Sequence, residues 1–323
     1  MIVSASRRTD IPAFFAQWFM NRVNGGYFYA ANPFNPRQVK GYSLLPEDVD
    51  AIVFWSKNPR PLMKHLDVLD SRGYRYYFQF TLNDYPSILE PHIPSFSNRL
   101  QTFKELSSRL GPARVIWRWD PIVISSVTPA EYHLQHIEKA AQALQGCSAR
   151  LVISFLDFYG KVADRLERLT RRTGIVFRDL TLPEHRGELL NLAGRIREIG
   201  DKYGFGVYSC AEAVDLTEAG IPHGACIDGD LIRRLFGIKK KMRKDRGQRP
   251  ECLCAESVDV GVYNTCSHGC AYCYANFSEQ SIRRNLAKQV PGSPLLIGTY
   301  EGHVEIVQEP RNRPGARQPA LFE

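Results

Sequence analysis

The stretch RVIWRWDPI, residues 114–122, decides the fold class, because an apolar and aromatic run of this length predicts a buried strand. It is followed by Thr128-Pro129-Ala130-Glu131, which has the form of a capping box with proline at the first helical position. The two signals together predict one βα unit, in which a strand leads directly into a helix.

Five further stretches have the same form, each an apolar run followed by residues at helical spacing. In the first of them, Asp10 is the expected N-cap of the helix that follows the strand. Six βα units in succession predict an α/β protein built around a parallel sheet. The other five predicted strands are 2–6, 51–56, 74–82, 151–159 and 205–210.

The βα alternation stops after residue 210, and this gives the chain two regions. Residues 1–210 form the βα-repeat region, and residues 211–323 form a cysteine-rich region. Within the second region, 257–264 predicts one more strand and 278–289 predicts a short helix. The proline- and arginine-containing tail from residue 308 predicts an extended strap.

The length, composition and net charge of the chain limit where it can act and what it can bind. The chain has 323 residues, 44% of them hydrophobic, and no apolar stretch long enough to cross a bilayer. Its first residues lack the pattern of a secretory signal, so we expect a cytoplasmic protein without a membrane partner. The net charge of +8 is compatible with an anionic partner such as nucleic acid or a phosphorylated small molecule, and seven of the basic residues fall within 239–250.

The cysteines are clustered. Seven of the eight lie between Cys210 and Cys273, while Cys147 stands apart. In a reducing compartment, clustered thiols are more often metal ligands than disulfides. Cys266, Cys270 and Cys273 form a CxxxCxxC array, which is one thiolate short of a closed four-ligand site. A [4Fe-4S] cluster held in this way would leave one iron open to another ligand.

With Tyr272 immediately before the third cysteine, TCSHGCAYCYA at 265–275 resembles the signature of the radical S-adenosylmethionine (radical SAM) superfamily. The resemblance implies a radical SAM enzyme in which the open iron chelates S-adenosylmethionine. An electron from the cluster would cleave this cosubstrate to a 5'-deoxyadenosyl radical, which abstracts hydrogen from a substrate that the sequence does not identify. The resemblance also implies that Tyr272 contacts the adenosyl group, and it implies a reducing partner such as flavodoxin or ferredoxin.

The resemblance to the radical SAM superfamily also implies a fold. Its members are partial (β/α)6 barrels of the TIM-like type, with the cysteine loop after the first strand, whereas here the cysteine loop comes last. This implies a circularly permuted barrel in which the cluster-binding strand, loop and helix, 257–289, are C-terminal and pack beside the N-terminal strand. The Gly-Gly-Glu stretch that follows the second strand in the superfamily is not found here.

The chain is similar over nearly its full length to a bacterial family called domain of unknown function 1848. The stretches that carry this likeness are SRRTDIPAFF, FWSKNP and the terminal TCSHGCAYCYA. That family has C-terminal cysteines like those of radical SAM proteins, and it implies no reaction.

The remaining four clustered cysteines, Cys210, Cys226, Cys252 and Cys254, match the number of thiolates that completes a second metal centre. We expect an auxiliary [4Fe-4S] cluster, and a structural zinc ion or unligated thiols remain alternatives. For the CxxxCxxC array, the alternative is zinc with His268 as the fourth ligand.

Polar side chains at the ends of the predicted strands are candidates for the site, because a barrel carries its functional groups there. We expect a catalytic role for Arg118, Lys57 and Asp157. A cation inside an apolar strand needs a partner that offsets its desolvation, which singles out Arg118 and Lys57. The alternative is that such residues are helix caps and strand-end ion pairs. The candidates for cosubstrate binding are Tyr272, Ser6, Arg8, Asn58 and Glu212.

A function of a different class remains open. A zinc-dependent nucleic-acid-binding protein would use the basic run at 239–250 to contact phosphates. Nucleic acid could also be the substrate of a radical enzyme. The metal that the protein carries distinguishes the enzyme from the binding protein.

Overall fold

A computed structural model describes residues 1–32 and 35–307. The predicted strap from residue 308 lies outside the described residues. The strands are β1 Ile2–Ala5, β2 Tyr27–Asn32, β3 Asn35–Ser43, β4 Ala51–Ser56, β5 Tyr76–Thr81, β6 Val115–Ile122, β7 Ile124–Ser125, β8 Arg150–Phe155, β9 Phe177–Arg178, β10 Gly206–Cys210, β11 His223–Gly224, β12 Val258–Asp259 and β13 Ile306–Val307.

The helices fall mainly between the strands of the repeat. They are α1 Ile11–Phe14, α2 Ala16–Gly25, α3 Arg60–Met63, α4 Leu66–Ser71, α5 Phe96–Leu110, α6 Ala130–Leu144, α7 Gly160–Thr173, α8 Arg186–Tyr203, α9 Gly229–Phe236 and α10 Glu279–Leu286, with 3-10 turns at Pro183–His185 and Thr217–Ala219. No helix in the described part of the chain has the length and apolarity needed to cross a membrane.

Eight strands form one parallel sheet that curls into a half-barrel, in the order β11-β10-β8-β6-β5-β4-β1-β12. All six strands predicted in the βα-repeat region are present in it. The alternation of strands and helices therefore correctly predicted an α/β protein with a parallel sheet, because sequential strands joined through helices run in the same direction.

The C-terminal strand pairs with the N-terminal one. Val258 lies opposite Val3 and Asp259 opposite Ser4, so β12 forms the edge of the sheet next to β1. The predicted strand 257–264 is shorter in the structure, since the Asp259 carboxylate accepts the backbone N–H of Gly261 and turns the chain away. The helix predicted at 278–289 is present as α10, with Ser278 as its cap.

The two faces of the sheet pack against different parts of the chain. Alternate residues such as Val3, Phe54 and Trp117 lie in the main core with the helices, while Ile2 and Val53 lie in a second cluster on the other face. That cluster also contains Ile227, Leu231 and Ile232 of the α9 segment, together with Cys226, Cys252 and Cys254. Residues from both sides of the predicted boundary at 210 therefore share one buried cluster.

Two local predictions had different outcomes. Asp10 is confirmed as a cap, because its carboxylate accepts the N–H of Ala13 at 2.9 Å. The capping box at Thr128 is wrong, since α6 begins without a side-chain cap and the Thr128 hydroxyl donates to the Val123 carbonyl instead. The antiparallel pair β2–β3 was not predicted, because its sequence lacks strict apolar alternation.

Candidate active site

A cavity of about 400 Å³ opens at the C-terminal ends of the sheet strands. Its walls come from the segments after β1, β4, β6, β8 and β10, together with the segment 265–275, called here the cysteine loop. All seven clustered cysteines line it. So do the predicted site residues Ser6, Arg8, Lys57, Arg118, Asp157, Glu212 and Tyr272.

Asn58 is the predicted site residue that does not line the cavity. Its backbone N–H donates to the Ser56 hydroxyl at 2.9 Å, which turns the chain toward Pro59 and α3. The sequence predicts that every polar residue after β4 lines the cavity. In the structure, Lys57 lines the cavity and Asn58, at the turn, does not.

Arg165 of α7 anchors the cysteine loop from one side. Its guanidinium donates to the carbonyl oxygens of Ala271, Cys273 and Asn276. The amide of Asn276 in turn donates to the carbonyl of Cys266 at 2.7 Å. These contacts satisfy backbone acceptors of a segment that has no helix or strand of its own.

Residues 89–92 hold the loop from the other side. The N–H of Ala271 donates to the Leu89 carbonyl at 2.9 Å, and the N–H of His92 donates to the His268 carbonyl at 3.3 Å. Gly269, with φ of 72°, lies so close to His92 that an added Cβ would be 3.0 Å from its ring. The close approach and the positive φ both require glycine at this position.

Burial disfavours the thiolate form of two cysteines of the loop, Cys266 and Cys270. Burial raises the pKa of Cys266 to about 12, with smaller contributions from Asp10 and Cys273, and burial also raises the pKa of Cys270 well above its usual range. Within the described ranges, no group of three or more His, Cys, Asp or Glu side chains is arranged as a formed metal site. The donor set nevertheless fits a three-thiolate cluster, since three thiols from one loop line one cavity.

His268 contacts a carboxylate instead of a cysteine. Its Nε2 lies 2.8 Å from Asp10 Oδ2, while its buried Nδ1 has no hydrogen-bond partner. The same carboxylate accepts the Ser56 hydroxyl and the N–H of Lys57. Asp10 thereby connects the cysteine loop to the ends of β1 and β4.

Lys57 belongs to a buried polar network behind the cavity wall. Its ammonium donates to Glu90 Oε1 at 2.8 Å and to Asn83 Oδ1 at 3.1 Å, and the hydroxyl of Tyr272 donates to the same Glu90 oxygen. Burial alone would raise the pKa of Glu90, but the charges of Lys57 and Arg99 hold it below its ordinary value. Glu90 is therefore ionised, and it fixes both the lysine and the tyrosine ring.

Arg118 is 3% exposed and is saturated with partners. Its Nε donates to Asp120 Oδ2 at 2.9 Å, and its Nη1 donates to Gln79 Oε1 at 3.2 Å and to Cys226 Sγ at 2.9 Å. The pKa of Asp120 would be raised by burial, but Arg118 lowers it below the ordinary value. The partner that the sequence predicts for Arg118 is therefore Asp120, on the same strand. The guanidinium also contacts the sulfur of Cys226.

Two carboxyl groups on the β8 and β10 side differ in charge. Asp157 accepts Arg249 and the Tyr159 hydroxyl, each at 2.9 Å. Burial raises the pKa of Glu212 to about 8 against the opposing N–H of Phe155. At neutral pH, the cavity therefore contains an ion-paired aspartate and a protonated glutamic acid.

Arg8 is the cavity cation without a carboxylate partner among residues 1–32 and 35–307. It donates to the Gly261 carbonyl at 3.4 Å and lies over the Tyr263 ring. Its neighbour Arg7 pairs with Asp259, whose carboxylate also accepts the hydroxyls of Ser4 and Ser6. Ser6 is therefore a support for the β1 end of the cavity, and Arg8 is available to an anion.

The other four cysteines form a separate wall of the cavity. Cys210 and Cys226 are joined by a disulfide, and Cys252 and Cys254 are free thiols. A hydrogen bond from Cys252, together with backbone N–H groups and Arg7, lowers the pKa of Cys254 to about 6. In this form two of the four sulfurs are not available as thiolates, so metal binding by this set stays a prediction.

The basic run 239–250 is partly occupied by internal contacts. Arg249 reaches Asp157 at the cavity, and Lys244 donates to the Pro250 carbonyl at 2.7 Å. Lys240 pairs with Asp50. The run is therefore in part a cover of the cavity, and its contact with phosphates stays a prediction.

Sequence reasoning missed Glu90, Arg165 and Asp259. Glu90 and Arg165 do not follow a strand directly, and Asp259 ends a strand that was predicted to continue. A signal was available for Glu90, since an acidic residue in a proline-rich apolar loop is a candidate for a buried ion pair. Arg165 gave no such signal, because it lies in a helix with several exposed arginines.

Comparison with known proteins gives a family. The model of the family described as Domain of unknown function (DUF1848) matches residues 2–275. Neither the search of curated proteins nor the search of solved structures found a match. The matched range contains every residue that lines the cavity.

Proposed function

The chain belongs to the DUF1848 family, and since that membership names no reaction, we propose from the site that it is a radical SAM enzyme. When bound, a three-cysteine [4Fe-4S] cluster would supply one electron to cleave S-adenosylmethionine to a 5'-deoxyadenosyl radical. Cys266, Cys270 and Cys273 would hold this cluster. The substrate from which hydrogen is abstracted is not named by this proposal.

The observation that carries the proposal is the position of the cysteine loop. Its three thiols and Tyr272 line the cavity at the C-terminal ends of the parallel strands, where an α/β barrel binds its ligands. The loop follows β12, which pairs with β1 at the edge of the sheet. This pairing supports a circularly permuted partial barrel, in which 257–289 takes the place of a first βα unit.

The polypeptide would contribute position and charge. Glu90 and Asn83 hold the Tyr272 hydroxyl, so the ring stays fixed against the cavity, where it would contact the adenosyl group. The unpaired guanidinium of Arg8 would bind the cosubstrate carboxylate, since a guanidinium fork matches a carboxylate in two-point contact. Arg249 and Asp157 would close the β8 side and limit the entry of water.

The roles of the three predicted catalytic residues become more specific. Lys57 would hold Glu90 in place behind Tyr272, and Arg118 would act through its neighbours, since its donors are engaged. Asp157 would gate the cavity with Arg249. The protonated Glu212 is the remaining acid in the cavity that could donate to a bound substrate.

The decisive test is an anaerobic assay for 5'-deoxyadenosine. The protein is reconstituted with iron and sulfide, reduced with dithionite or with a flavodoxin, and given S-adenosylmethionine. We expect 5'-deoxyadenosine from the native protein and from Cys147→Ala, whose thiol lies away from the cavity. We expect none from Cys266→Ala, Cys270→Ala or Cys273→Ala.

The metal content of the purified protein distinguishes the radical SAM enzyme from the zinc-dependent alternative. A brown protein with iron and sulfide agrees with the proposal. A colourless protein that carries zinc, binds DNA or RNA and makes no 5'-deoxyadenosine would replace the enzyme with a zinc-dependent nucleic-acid-binding protein. If Cys270→Ala formed 5'-deoxyadenosine at the native level, the assignment as a radical SAM enzyme would also be wrong.

A further inference from the structure

The cavity wall formed by Cys210, Cys226, Cys252 and Cys254 is called here the four-cysteine wall. These residues come from three segments of the chain, at 210, 226 and 252–254, and the fold brings them together on one side of the cavity. Cys226, Cys252 and Cys254 are each less than 10% exposed. Four cysteines gathered from three segments on one buried wall are more than packing requires, because an aliphatic side chain would fill the same space.

Hydrogen-bond donors lie beside two of these sulfurs, those of Cys226 and Cys254. The N–H of Ile227 donates to Cys254 Sγ at 3.4 Å, and Arg118 Nη1 donates to Cys226 Sγ at 2.9 Å. Backbone N–H groups and guanidinium ions stabilise thiolates, so the surroundings of Cys226 and Cys254 suit negatively charged sulfur.

We propose that the four-cysteine wall binds a second [4Fe-4S] cluster once the Cys210–Cys226 disulfide is reduced. Reduction by a thiol reductant transfers two electrons and two protons to the two sulfurs and oxidises the reductant to its own disulfide. Binding of the cluster then releases the protons that these thiols still carry and forms four iron–thiolate bonds. The inference goes beyond the proposed function and does not rest on it, because it uses a different set of cysteines.

Space favours a cluster over a single zinc ion. A structural zinc is closed in by four ligands, with sulfur about 2.3 Å from the metal. These sulfurs border an open cavity of about 400 Å³, which leaves room for iron and inorganic sulfide beside them. With four thiolate ligands the cluster has no open iron, so it would transfer electrons at the cavity wall instead of binding substrate directly.

The test isolates the four-cysteine wall by removing the other set. In a Cys266→Ala, Cys270→Ala, Cys273→Ala triple variant, reduced with dithiothreitol and reconstituted anaerobically, we expect about four irons and about four sulfides per chain. Adding Cys252→Ala and Cys254→Ala should remove them, whereas adding Cys147→Ala should not. The absence of iron in the folded triple variant, or one zinc in its place, would overturn the proposal.

A measurement on the native chain covers the case in which these variants fail to fold. Cys252 and Cys254 should be alkylated by iodoacetamide more slowly in the iron-loaded protein than in the reduced, iron-free protein, as read by mass spectrometry. Equal rates would contradict the proposal. If native protein makes no 5'-deoxyadenosine while this protection is present, the proposed function fails and the second cluster stands.

Arg118 would be a positioning residue of this cluster. In the triple-variant background, Arg118→Gln should shift the cluster's reduction potential to a more negative value, since a cation beside a sulfur ligand favours the reduced, more negative state. Arg118→Lys should keep most of the native potential. Equal potentials in all three proteins would show that the guanidinium acts on the fold alone.

Discussion

The cysteine loop and the four-cysteine wall line one cavity but are built in different ways. The loop takes three thiols from adjacent turns of one segment, and Arg165 and residues 89–92 hold its backbone. The wall takes its sulfurs from three separate segments, and its contacts go to the sulfur atoms themselves. A sequence motif therefore needs outside support for its backbone, whereas a dispersed site needs the fold to assemble it.

The largest expected effect is on the backbone support of the cysteine loop. Arg165→Ala leaves three loop carbonyls without their donor, so we expect the loop to lose its iron and 5'-deoxyadenosine formation to fall by about tenfold or more. The exposed Arg168→Ala on the same helix is the matched control. If Arg165→Ala kept the native iron content and the native yield of 5'-deoxyadenosine, the loop would hold its shape without this contact.

The next effect concerns the charge behind Tyr272. Glu90→Gln leaves Lys57 buried without its carboxylate, and we expect the free energy of unfolding to fall by about 3 kcal/mol. Lys57→Met in the same chain should recover part of this loss, which a double-mutant cycle in urea measures. Additive losses from the two changes would mean that the pair is not coupled.

A smaller effect is expected at His133 in α6, on the helix-covered face of the sheet. Buried His133 accepts from Trp119 and contacts the Val123 carbonyl, and burial lowers its pKa from 6.5 to about 4. Because the folded pKa is depressed, the unfolded chain takes up the proton first. Its contribution to stability is complete above pH 6.5 and is lost as the pH falls through 4, on the order of 3 kcal/mol in total.

Urea unfolding between pH 7 and pH 4 measures this effect. His133→Gln keeps an acceptor and a donor but does not titrate, so its stability should depend less on pH in this window. An identical pH dependence in the variant and the native protein would assign the acid sensitivity to other groups.

The smallest effect is expected at Asn58, whose side chain lies outside the cavity. Asn58→Ala should change the free energy of unfolding by less than about 0.5 kcal/mol and leave 5'-deoxyadenosine formation unchanged. Lys57→Ala, one residue earlier, should lower both. A large loss in Asn58→Ala would return Asn58 to the set of cosubstrate ligands.

Much of the fold could be predicted because the relevant signals are local. Apolar runs such as 51–56 alternate between two buried faces, and helices with apolar spacing follow them, so strands and their direction were readable. The hairpin β2–β3 was not, because its half-exposed residues carry no such alternation. The Thr128 cap failed because a competing acceptor, the Val123 carbonyl, is placed by the turn after β6.

The six strands of the βα-repeat region, the clustering of seven cysteines between Cys210 and Cys273 and the spacing within the CxxxCxxC array could be read from the sequence alone. Which side chains meet depends on the folded arrangement: Arg165 meets the loop carbonyls, Glu90 meets Lys57 and Tyr272, and Arg118 meets Cys226. Burial patterns repeat every few residues and are therefore visible in the sequence. Contacts between a guanidinium on one element and acceptors about a hundred residues away depend on how the elements cross, and only the folded chain fixes that.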